Sequence, residues 1–338
     1  MFESVSLWRR VLVSQPTPVG KPLPASGRAG RNLPAAFASA IVLLGVAAVG
    51  LFWYRPVLNA FIGLLILAAI WELAGAFARK NVYAQLLPLY LGAAGMITAA
   101  SLDSVFWLAI SLYLTFFAVV VWRFFFAEPL HLIGAPQEGA TSANQIVAAD
   151  SVTSTKADAS PSAAAGSPHA PRFVSKPIHD IIISMFIAAY IPFTAAFVVL
   201  LSEEWPDTPW PFAFFVVIVV CSDIGGWFAG ITFGKHPLAP RISPKKTWEG
   251  LAGSVILSAL AALGATFVLD IEWWWMIPLA FVGSLVGTLG DLIESLIKRL
   301  LDLKDMSELV PGHGGLLDRL DALLFTAPMF YIIYTTAL

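Results

Sequence analysis

Residues 34–54 read PAAFASAIVLLGVAAVGLFWY, and residues 57–78 read VLNAFIGLLILAAIWELAGAFA. Glu72 is the one charged side chain in the two stretches. Each stretch has the ~20 residues that a helix needs to cross a lipid bilayer. A chain inside lipid must satisfy its own backbone hydrogen bonds, so stretches of this kind fold as helices. They therefore predict two membrane-spanning helices joined by a short turn.

The composition of the whole chain agrees with these two stretches. Of 338 residues, 58% are hydrophobic and only 12% are charged, and the mean hydropathy is +0.78. A soluble domain carries about 25% charged residues, so a water-soluble globule, a disordered chain and a disulfide scaffold are all poor fits. The formal net charge of -2 provides no field that would attract nucleic acid. The single cysteine, Cys221, excludes an intrachain disulfide and a cysteine metal cage.

Reading windows of about 19 residues for apolar continuity predicts seven further spans. The predicted fold class is therefore all-α, a polytopic integral membrane protein with about nine transmembrane helices. The predicted spans are 34–54, 57–78, 83–101, 104–122, 181–201, 210–232, 250–269, 273–290 and 320–338.

The spans divide the chain into four predicted regions. Within one of them, residues 140–170 are rich in Ala, Ser, Thr and Pro and cannot bury enough apolar surface to form a core. The regions are a disordered cytosolic tail (1–33), a four-span membrane region (34–125), a flexible cytosolic linker (126–179) and a five-span catalytic region (180–338).

The basic residues predict the orientation of the chain in the membrane. All but one of the 20 lysines and arginines fall in the N-terminal tail or in even-numbered loops, and the exception is Arg55. Because basic residues concentrate on the cytoplasmic side, this pattern predicts a cytoplasmic N-terminus and an external C-terminus. The expected location is the inner (cytoplasmic) membrane of the cell.

Several carboxylates lie where a bilayer makes them costly, which points to function. In the predicted topology all of them lie towards the cytosolic side. They are Glu72, Asp223, Asp291, Asp318 and Asp321. A membrane transporter with a carboxylate relay would spread its acids across the membrane depth, so this clustering argues against that alternative.

One helical face around the eighth span combines an acid with a base. Asp291, Glu294, Ser295 and Lys298 are spaced i, i+3, i+4 and i+7, so they share a face. A plain Glu294–Lys298 ion pair at the end of an amphipathic helix is an alternative reading. That alternative accounts poorly for Asp291 at the end of an apolar span.

A glycine-rich segment before the last span adds features of an anion site. Gly314 and Gly315 let backbone N–H groups approach a phosphate at a helix N-terminus, and His313 is best read as a phosphate contact. Asp318 and Asp321 lie three residues apart and can point the same way, which suits Mg²⁺ beside phosphate. A simple loop before a helix, with a favourable acid in its first turn, is the alternative.

The sixth loop carries a candidate triphosphate clamp, made of two lysines and two hydroxyl side chains. Lysine is a point charge suited to phosphate, and hydroxyl groups can donate hydrogen bonds to it. The alternatives are a helix cap and ordinary cytoplasmic-side charges. The candidates are Ser243, Lys245, Lys246 and Thr247.

The motifs in the C-terminal third resemble the signature of the phosphatidate cytidylyltransferase (CDP-diacylglycerol synthase) family. The signature opens with Ser295-Leu296-Ile297-Lys298-Arg299, continues with Lys304-Asp305 and Ser307, and closes with His313-Gly314-Gly315-Leu316-Leu317-Asp318-Arg319-Leu320-Asp321. The stretches Phe233-Gly234-Lys235 and Ser243–Gly250, and Asp223, also resemble the family. The likeness is strong over residues 220–338 and looser over 34–125.

This resemblance implies transfer of the cytidylyl group of CTP to phosphatidic acid, which gives CDP-diacylglycerol and pyrophosphate. It implies Mg²⁺, with room for a second cation, held by Asp291, Asp318 and Asp321 with help from Asp223. Lys298 is the fourth predicted catalytic residue. Phosphate contacts are expected from the clamp residues and from Ser295, Arg299, Lys304, His313, Gly314, Gly315 and Arg319.

The expected partners are CTP, phosphatidic acid and the bilayer, without nucleic acid, and a homodimer is left open. A CTP-dependent lipid kinase, of the polyprenol or phytol type, is the main alternative. Such an enzyme would release CDP instead of pyrophosphate.

Overall fold

The structure is a computed structural model that describes residues 33–126, 176–205, 207–269, 271–303, 306, 307, 309 and 315–337. The predicted tail and most of the predicted linker lie outside the described residues. The helices are α1 (Leu33–Phe52), α2 (Arg55–Ala78), α3 (Leu86–Ser101), α4 (Val105–Phe126), α5 (Lys176–Ala188), α6 (Thr194–Glu203), α7 (Trp210–Phe233), α8 (Trp248–Leu269), α9 (Trp273–Leu300) and α10 (Leu317–Ala337).

Each of the nine predicted spans coincides with one of these helices or, for 181–201, with the continuous run of α5 and α6. Six helices in the described part of the chain are long and apolar enough to cross a membrane. Helix α5 begins at Lys176, so the predicted linker boundary at residue 179 falls inside that helix. Helix α9 continues to Leu300, ten residues beyond the predicted end of its span.

The fold is nearly all-α, and the exception is a small β-hairpin in the loop between α7 and α8. Strand β1 (Pro237–Ala239) pairs antiparallel with β2 (Ser243–Thr247). This segment was predicted as a loop or helix cap, without strands. The hairpin pairs backbone N–H and C=O groups of this loop with each other, and it holds the adjacent Lys245 and Lys246 in a fixed position.

A π-helical turn (Ala189–Phe193) joins α5 to α6 and contains Pro192. Proline has no backbone N–H and its ring crowds the preceding turn, which accounts for the irregular hydrogen bonding there. The two helices and the turn together form one apolar segment of 27 residues, Pro177–Glu203.

The outer surface of the helices is apolar, as expected for protein facing lipid. Phe124 is 81% exposed and Phe267 is 86% exposed, and many other large apolar side chains lie on the outside. Contiguous apolar surface of this extent is foreign to soluble monomers. The described helices therefore form an integral membrane protein.

The helices of the two predicted membrane regions pack against each other. Helix α2 contacts α6, and α10 packs against α6, α7 and α9. The most extensive contact joins α7 to α8, and α9 lies against α8. The buried core extends across both regions and includes Leu73 of α2 and Phe330 of α10.

Candidate active site

A polar cavity of about 460 Å³ opens at one end of the bundle, where α7, the β-hairpin, α8, α9 and α10 meet. It gathers most of the predicted site residues from segments that are far apart in the sequence. The lining residues among them are Asp223, Ser243, Lys245, Lys246, Thr247, Asp291, Ser295, Lys298, Asp318, Arg319 and Asp321, and Glu294 joins them.

Four of the five carboxylates that line the cavity are arranged as two pairs. Asp291 and Asp321 are electrostatic neighbours, and Glu294 and Asp318 share the ammonium group of Lys298 as a hydrogen-bond donor. Within the described residues, no three acidic, histidine or cysteine side chains converge closely enough to enclose an ion by themselves. Of the four predicted metal ligands, Asp291 and Asp321 form one pair, Asp318 belongs to the other pair with Glu294, and Asp223 belongs to neither. In the described part of the chain these four do not form one protein-only cage.

Two lysines neutralise these pairs. Lys246 of β2 contacts Asp291, and Lys298 donates to Glu294 at 2.9 Å and to Asp318 at 2.6 Å. The Glu294–Lys298 ion pair offered as the plain alternative does form, but Lys298 also reaches Asp318 on another helix. The side chains of Lys298 and Glu294 are only 16% and 3% exposed, so this pair is part of a buried polar network.

Asp318 links the charged network to the backbone that precedes α10. Its Oδ2 accepts a hydrogen bond from the backbone N–H of Gly315 at 3.0 Å and a longer one from Met306 at 3.5 Å. A Cβ at position 315 would lie 2.4 Å from Oε1 of Glu72 and 2.7 Å from Oδ2 of Asp318. Glycine is needed here because two carboxylates approach this backbone closely.

Glu72 contributes to the site from the N-terminal half of the protein. It is fully buried on α2, and its carboxylate accepts hydrogen bonds from the hydroxyl of Ser307 and, at 2.8 Å, from the backbone N–H of Leu317. Glu72 was predicted as an acid inside a span but not as a site residue. Its two partners lie more than 230 positions away, so sequence spacing gave no sign of them.

Tyr190 and Glu294 belong to the site but were not predicted as site residues. Tyr190 lies in the π-helical turn and is buried. Its side chain interacts electrostatically with the carboxylates of Asp321 and Glu294. Within the part of the chain that the structure describes, its hydroxyl and Oε1 of Glu294 have no hydrogen-bond partner. π-Helical turns are frequent at functional sites, so the irregular turn is the structural feature that points to Tyr190.

The hairpin presents Lys245 and Lys246 to the cavity, and the adjoining residues fix its position. Thr247 Oγ1 accepts a hydrogen bond from the backbone N–H of Gly250 at 3.1 Å, so Thr247 caps α8 while it also lines the cavity. Glu249 accepts hydrogen bonds from the backbone N–H groups of Lys235 and His236, both at 3.2 Å.

Some predicted contacts lie elsewhere. The guanidinium of Arg299 faces the hairpin, where Nε donates to the carbonyl of Ile242 at 3.4 Å, and Arg299 is not a lining residue of the cavity. Gly315 lies beside Asp318 and also does not line it. Lys304, His313 and Gly314 fall outside the described residues.

Close packing between α7 and α8 holds Asp223 at the cavity. A Cβ on Gly225 would lie 2.4 Å from the carbonyl oxygen of Gly253, and a Cβ on Gly253 would lie 2.5 Å from that of Gly225. Ser254 adds a hydrogen bond from its hydroxyl to the carbonyl of Ser222 at 2.7 Å. Small residues that let two helices touch are typical of membrane proteins.

We expect Gly253→Ala to lower the melting temperature of the detergent-solubilised protein by several degrees, because overpacking costs about 1–3 kcal/mol. Gly264→Ala is the matched control on the same helix, since nothing lies within 4 Å of a Cβ at that position. Differential scanning fluorimetry measures both. Equal melting temperatures for the two variants would contradict the close α7–α8 contact.

Comparisons with known proteins agree with the site. The model of a family described as "Cytidylyltransferase family" matches residues 35–337. A phosphatidate cytidylyltransferase of Mycobacterium leprae is 45% identical over 163 residues, which cover 48% of this chain and 52% of the relative. The protein of the same name from Haemophilus influenzae is 38% identical over 154 residues, covering 43% and 54%.

A third relative, a phosphatidate cytidylyltransferase of Bacillus subtilis, is 40% identical over 125 residues, covering 36% of this chain and 46% of the relative. The chain thus spans about half the length of the curated relatives it matches. The family resemblance inferred from the signature is confirmed by these matches.

Proposed function

The chain belongs to the cytidylyltransferase family, and from that premise we propose that it transfers the cytidylyl group of CTP to phosphatidic acid. The products are CDP-diacylglycerol, a precursor for phospholipid synthesis, and pyrophosphate. The relatives named phosphatidate cytidylyltransferase support this choice of substrates. The observation that carries it is a cavity in a membrane protein that is lined by two carboxylate pairs, three lysines and an arginine.

In the proposed reaction a phosphate oxygen of phosphatidic acid forms a bond to the α-phosphorus of CTP. The bond from that phosphorus to the oxygen bridging to the β-phosphate breaks, and pyrophosphate leaves with the electron pair. A phosphate monoester is already an oxyanion at neutral pH, so the protein need not supply a strong base. Catalysis then consists mainly of positioning the two anions and neutralising their charge.

The basic residues of the cavity have separate roles in this scheme. Lys245 and Lys246, on the hairpin, are placed to bind the triphosphate of CTP, with Ser243 and Thr247 as hydroxyl donors. Lys298 neutralises charge at the reacting phosphates, and Arg319 is placed for the lipid phosphate. Ser295, which also lines the cavity, is a further candidate hydrogen-bond donor.

The carboxylate pairs fit Mg²⁺ in their donor chemistry. Mg²⁺ prefers oxygen ligands, keeps several waters and is usually bound through one or two carboxylates together with substrate phosphates. Two adjacent carboxyl groups repel each other when both are ionised, and a cation between them relieves that repulsion. We propose that Asp291 and Asp321, assisted by Asp223, would hold one ion and that Asp318 would hold a second cation, in each case together with substrate phosphate. When bound, the ion supplies charge neutralisation.

The proposed topology has nine spans, a cytoplasmic N-terminus and the active site on the cytoplasmic face of the inner membrane, where CTP is available. Contacts among the even-numbered loops support a shared side. Lys80 pairs with Asp302, and the backbone N–H of Tyr83 donates to Asp180 at 2.8 Å. Arg55 lies away from these loops, and its guanidinium donates to the carbonyls of Trp205 and Thr208. A homodimer also stays a prediction.

The test is an assay of membranes containing the full chain, with CTP labelled in the cytosine ring and phosphatidic acid. We expect labelled cytidine in the lipid fraction and one pyrophosphate released for each lipid product. Release of CDP without lipid-borne cytidine would favour a CTP-dependent lipid kinase and overturn the proposal.

Lys245→Ala is expected to raise the KM for CTP about tenfold and to leave the KM for phosphatidic acid nearly unchanged, because a lost charge-assisted contact to phosphate costs about 1.5–3 kcal/mol. Lys235→Ala is the matched control, since Lys235 belongs to the same loop and does not line the cavity. Steady-state kinetics with each substrate varied in turn measure the two constants. Equal increases in both KM values would contradict the clamp.

A further inference from the structure

A second cavity, of about 320 Å³, lies between α1, α2, α7, α10 and the segment around the π-helical turn. Its lining is apolar with one exception among the described residues, which is Arg319. Arg319 also lines the polar cavity described above. The two cavities therefore share Arg319, with mostly polar and charged residues lining one of them and apolar residues lining the other.

The apolar cavity extends away from the polar site along the helices. Its lining on α2 runs from Leu58 to Ile66, and eight residues of helix span about 12 Å. Glu72, farther along α2, contacts Leu317 beside the polar site. The Ile66 end of the apolar cavity is therefore the end near the polar site, and the Leu58 end lies towards the start of α2.

We propose that this cavity holds an acyl chain of the lipid substrate while Arg319 binds the phosphate of the same molecule. The inference rests on the proposed function, because it needs a substrate that joins a phosphate directly to hydrocarbon chains. Such a lipid requires adjacent polar and apolar sites, and the shared residue Arg319 provides that junction. Arginine suits it because its planar guanidinium can bind a phosphate through two hydrogen bonds.

The volume and lining are those of a ligand site. Pockets for small molecules occupy roughly 300–1,000 Å³ and are mostly apolar with a few placed polar groups. At 320 Å³ this cavity is at the small end of that range, so we assign it to one chain. The acyl chain would run past Ile66 towards Leu58, with Phe215 of α7 and Leu324 of α10 against its sides.

Two neighbouring alanines of α1 give a matched test of this assignment. Ala47 lines the cavity, whereas Ala48 is exposed on the outer surface and does not line it. Ala47→Trp places an indole in the path of the chain, and Ala48→Trp makes the same change towards lipid. The assay uses the full chain in detergent micelles with dioleoyl or dihexanoyl phosphatidic acid and scores lipid-borne cytidine.

In Ala47→Trp the ratio of kcat/KM for the dioleoyl lipid to kcat/KM for the dihexanoyl lipid is expected to fall at least about tenfold. Even one methylene in an apolar pocket changes discrimination by about ten- to two-hundredfold. The ratio is expected to stay at the wild-type value in Ala48→Trp. In both variants the KM for CTP should be the same with the dioleoyl lipid as with the dihexanoyl lipid. Leu43→Phe, a smaller change at another lining residue, serves if Ala47→Trp does not fold.

The outcomes separate this inference from the proposed function. Wild-type protein that forms no lipid-borne cytidine from either lipid defeats the proposed function, and the inference falls with it. Active wild-type protein with the same chain-length ratio in Ala47→Trp and Leu43→Phe overturns the inference alone. Activity reduced equally with both lipids also overturns it, since that result is expected if the cavity holds a bystander lipid.

Discussion

Asp318→Asn is expected to reduce kcat/KM for cytidylyl transfer by about a thousandfold, the upper end of the loss seen when one preorganised electrostatic group is removed from an active site. Asp318 accepts hydrogen bonds from Lys298 through Oδ1 and from the backbone N–H of Gly315 through Oδ2. An asparagine keeps the shape but loses the charge. Its NH₂ group, which can only donate, would face either the Lys298 ammonium or the Gly315 N–H. One buried donor is left unpaired, and Lys298 loses a counterion.

The matched control for this substitution is Asp302→Asn. The Asp302 side chain is 82% exposed, lies in the loop after α9 and is paired with Lys80, whose hydrogen bond lowers the pKa of the Asp302 carboxyl. Exposed ion pairs contribute little, so this variant should keep nearly all of its activity. Both variants are measured in purified membranes at saturating Mg²⁺ and CTP with phosphatidic acid varied, which gives kcat/KM for phosphatidic acid. An Asp318→Asn protein with more than a tenth of wild-type kcat/KM would remove Asp318 from the catalytic group.

The helices could be predicted from sequence because apolar length is a local property. Bilayer thickness sets the number of residues a span needs, and the sequence shows where runs of that length lie. Helix α10 is the instructive case. It begins Leu317-Asp318-Arg319-Leu320-Asp321 and is not among the six helices that satisfy length and hydropathy together. Its start carries the chemistry of the site, and the same charges weaken the signal of a membrane span.

The end of α9 shows where local reasoning stops. The predicted span ends at residue 290 because Asp291 follows it, yet the helix continues to Leu300. It continues because Glu294 and Lys298, one turn apart, satisfy each other's charges and Lys298 also reaches Asp318. Sequence spacing could place Glu294 and Lys298 on one face, but it could not supply the partner on α10.

The hairpin was missed because of its composition, and Glu72 because its partners are distant in the sequence. Strand β2 contains Pro244 and two lysines, a composition that gives little sign of a strand. Glu72 attracted attention as an acid in a predicted span, but hydrophobic patterns cannot show which groups a buried carboxylate meets. The candidate site could thus be predicted as a set of residues, whereas their pairing required the fold.

Glu72→Ala is expected to lower kcat by about a hundredfold, since it leaves the Ser307 hydroxyl and the Leu317 N–H buried without their acceptor. Each unpaired buried group costs about 1–3 kcal/mol of stability, so the surrounding backbone should shift, and a misplacement of about 1 Å in a site can cost about a hundredfold in rate. The backbone around Gly315, which packs against Glu72 and holds Asp318, would relax. Glu72 is then a positioning residue that acts through Asp318, so kcat should fall more than the KM for CTP rises.

A buried contact elsewhere in the protein separates positioning from mere stability. Gln85 is buried before α3 and accepts a hydrogen bond from the hydroxyl of Ser184 on α5, away from the residues that line the polar cavity. Gln85→Ala should therefore lower the melting temperature about as much as Glu72→Ala while leaving kcat near the wild-type value. Glu72→Gln should fall between Glu72→Ala and the wild type, because one amide oxygen can still accept a hydrogen bond while the NH₂ group cannot. If both alanine variants lose stability and both keep kcat, Glu72 only holds the two halves of the membrane region together, and the catalytic geometry does not depend on it.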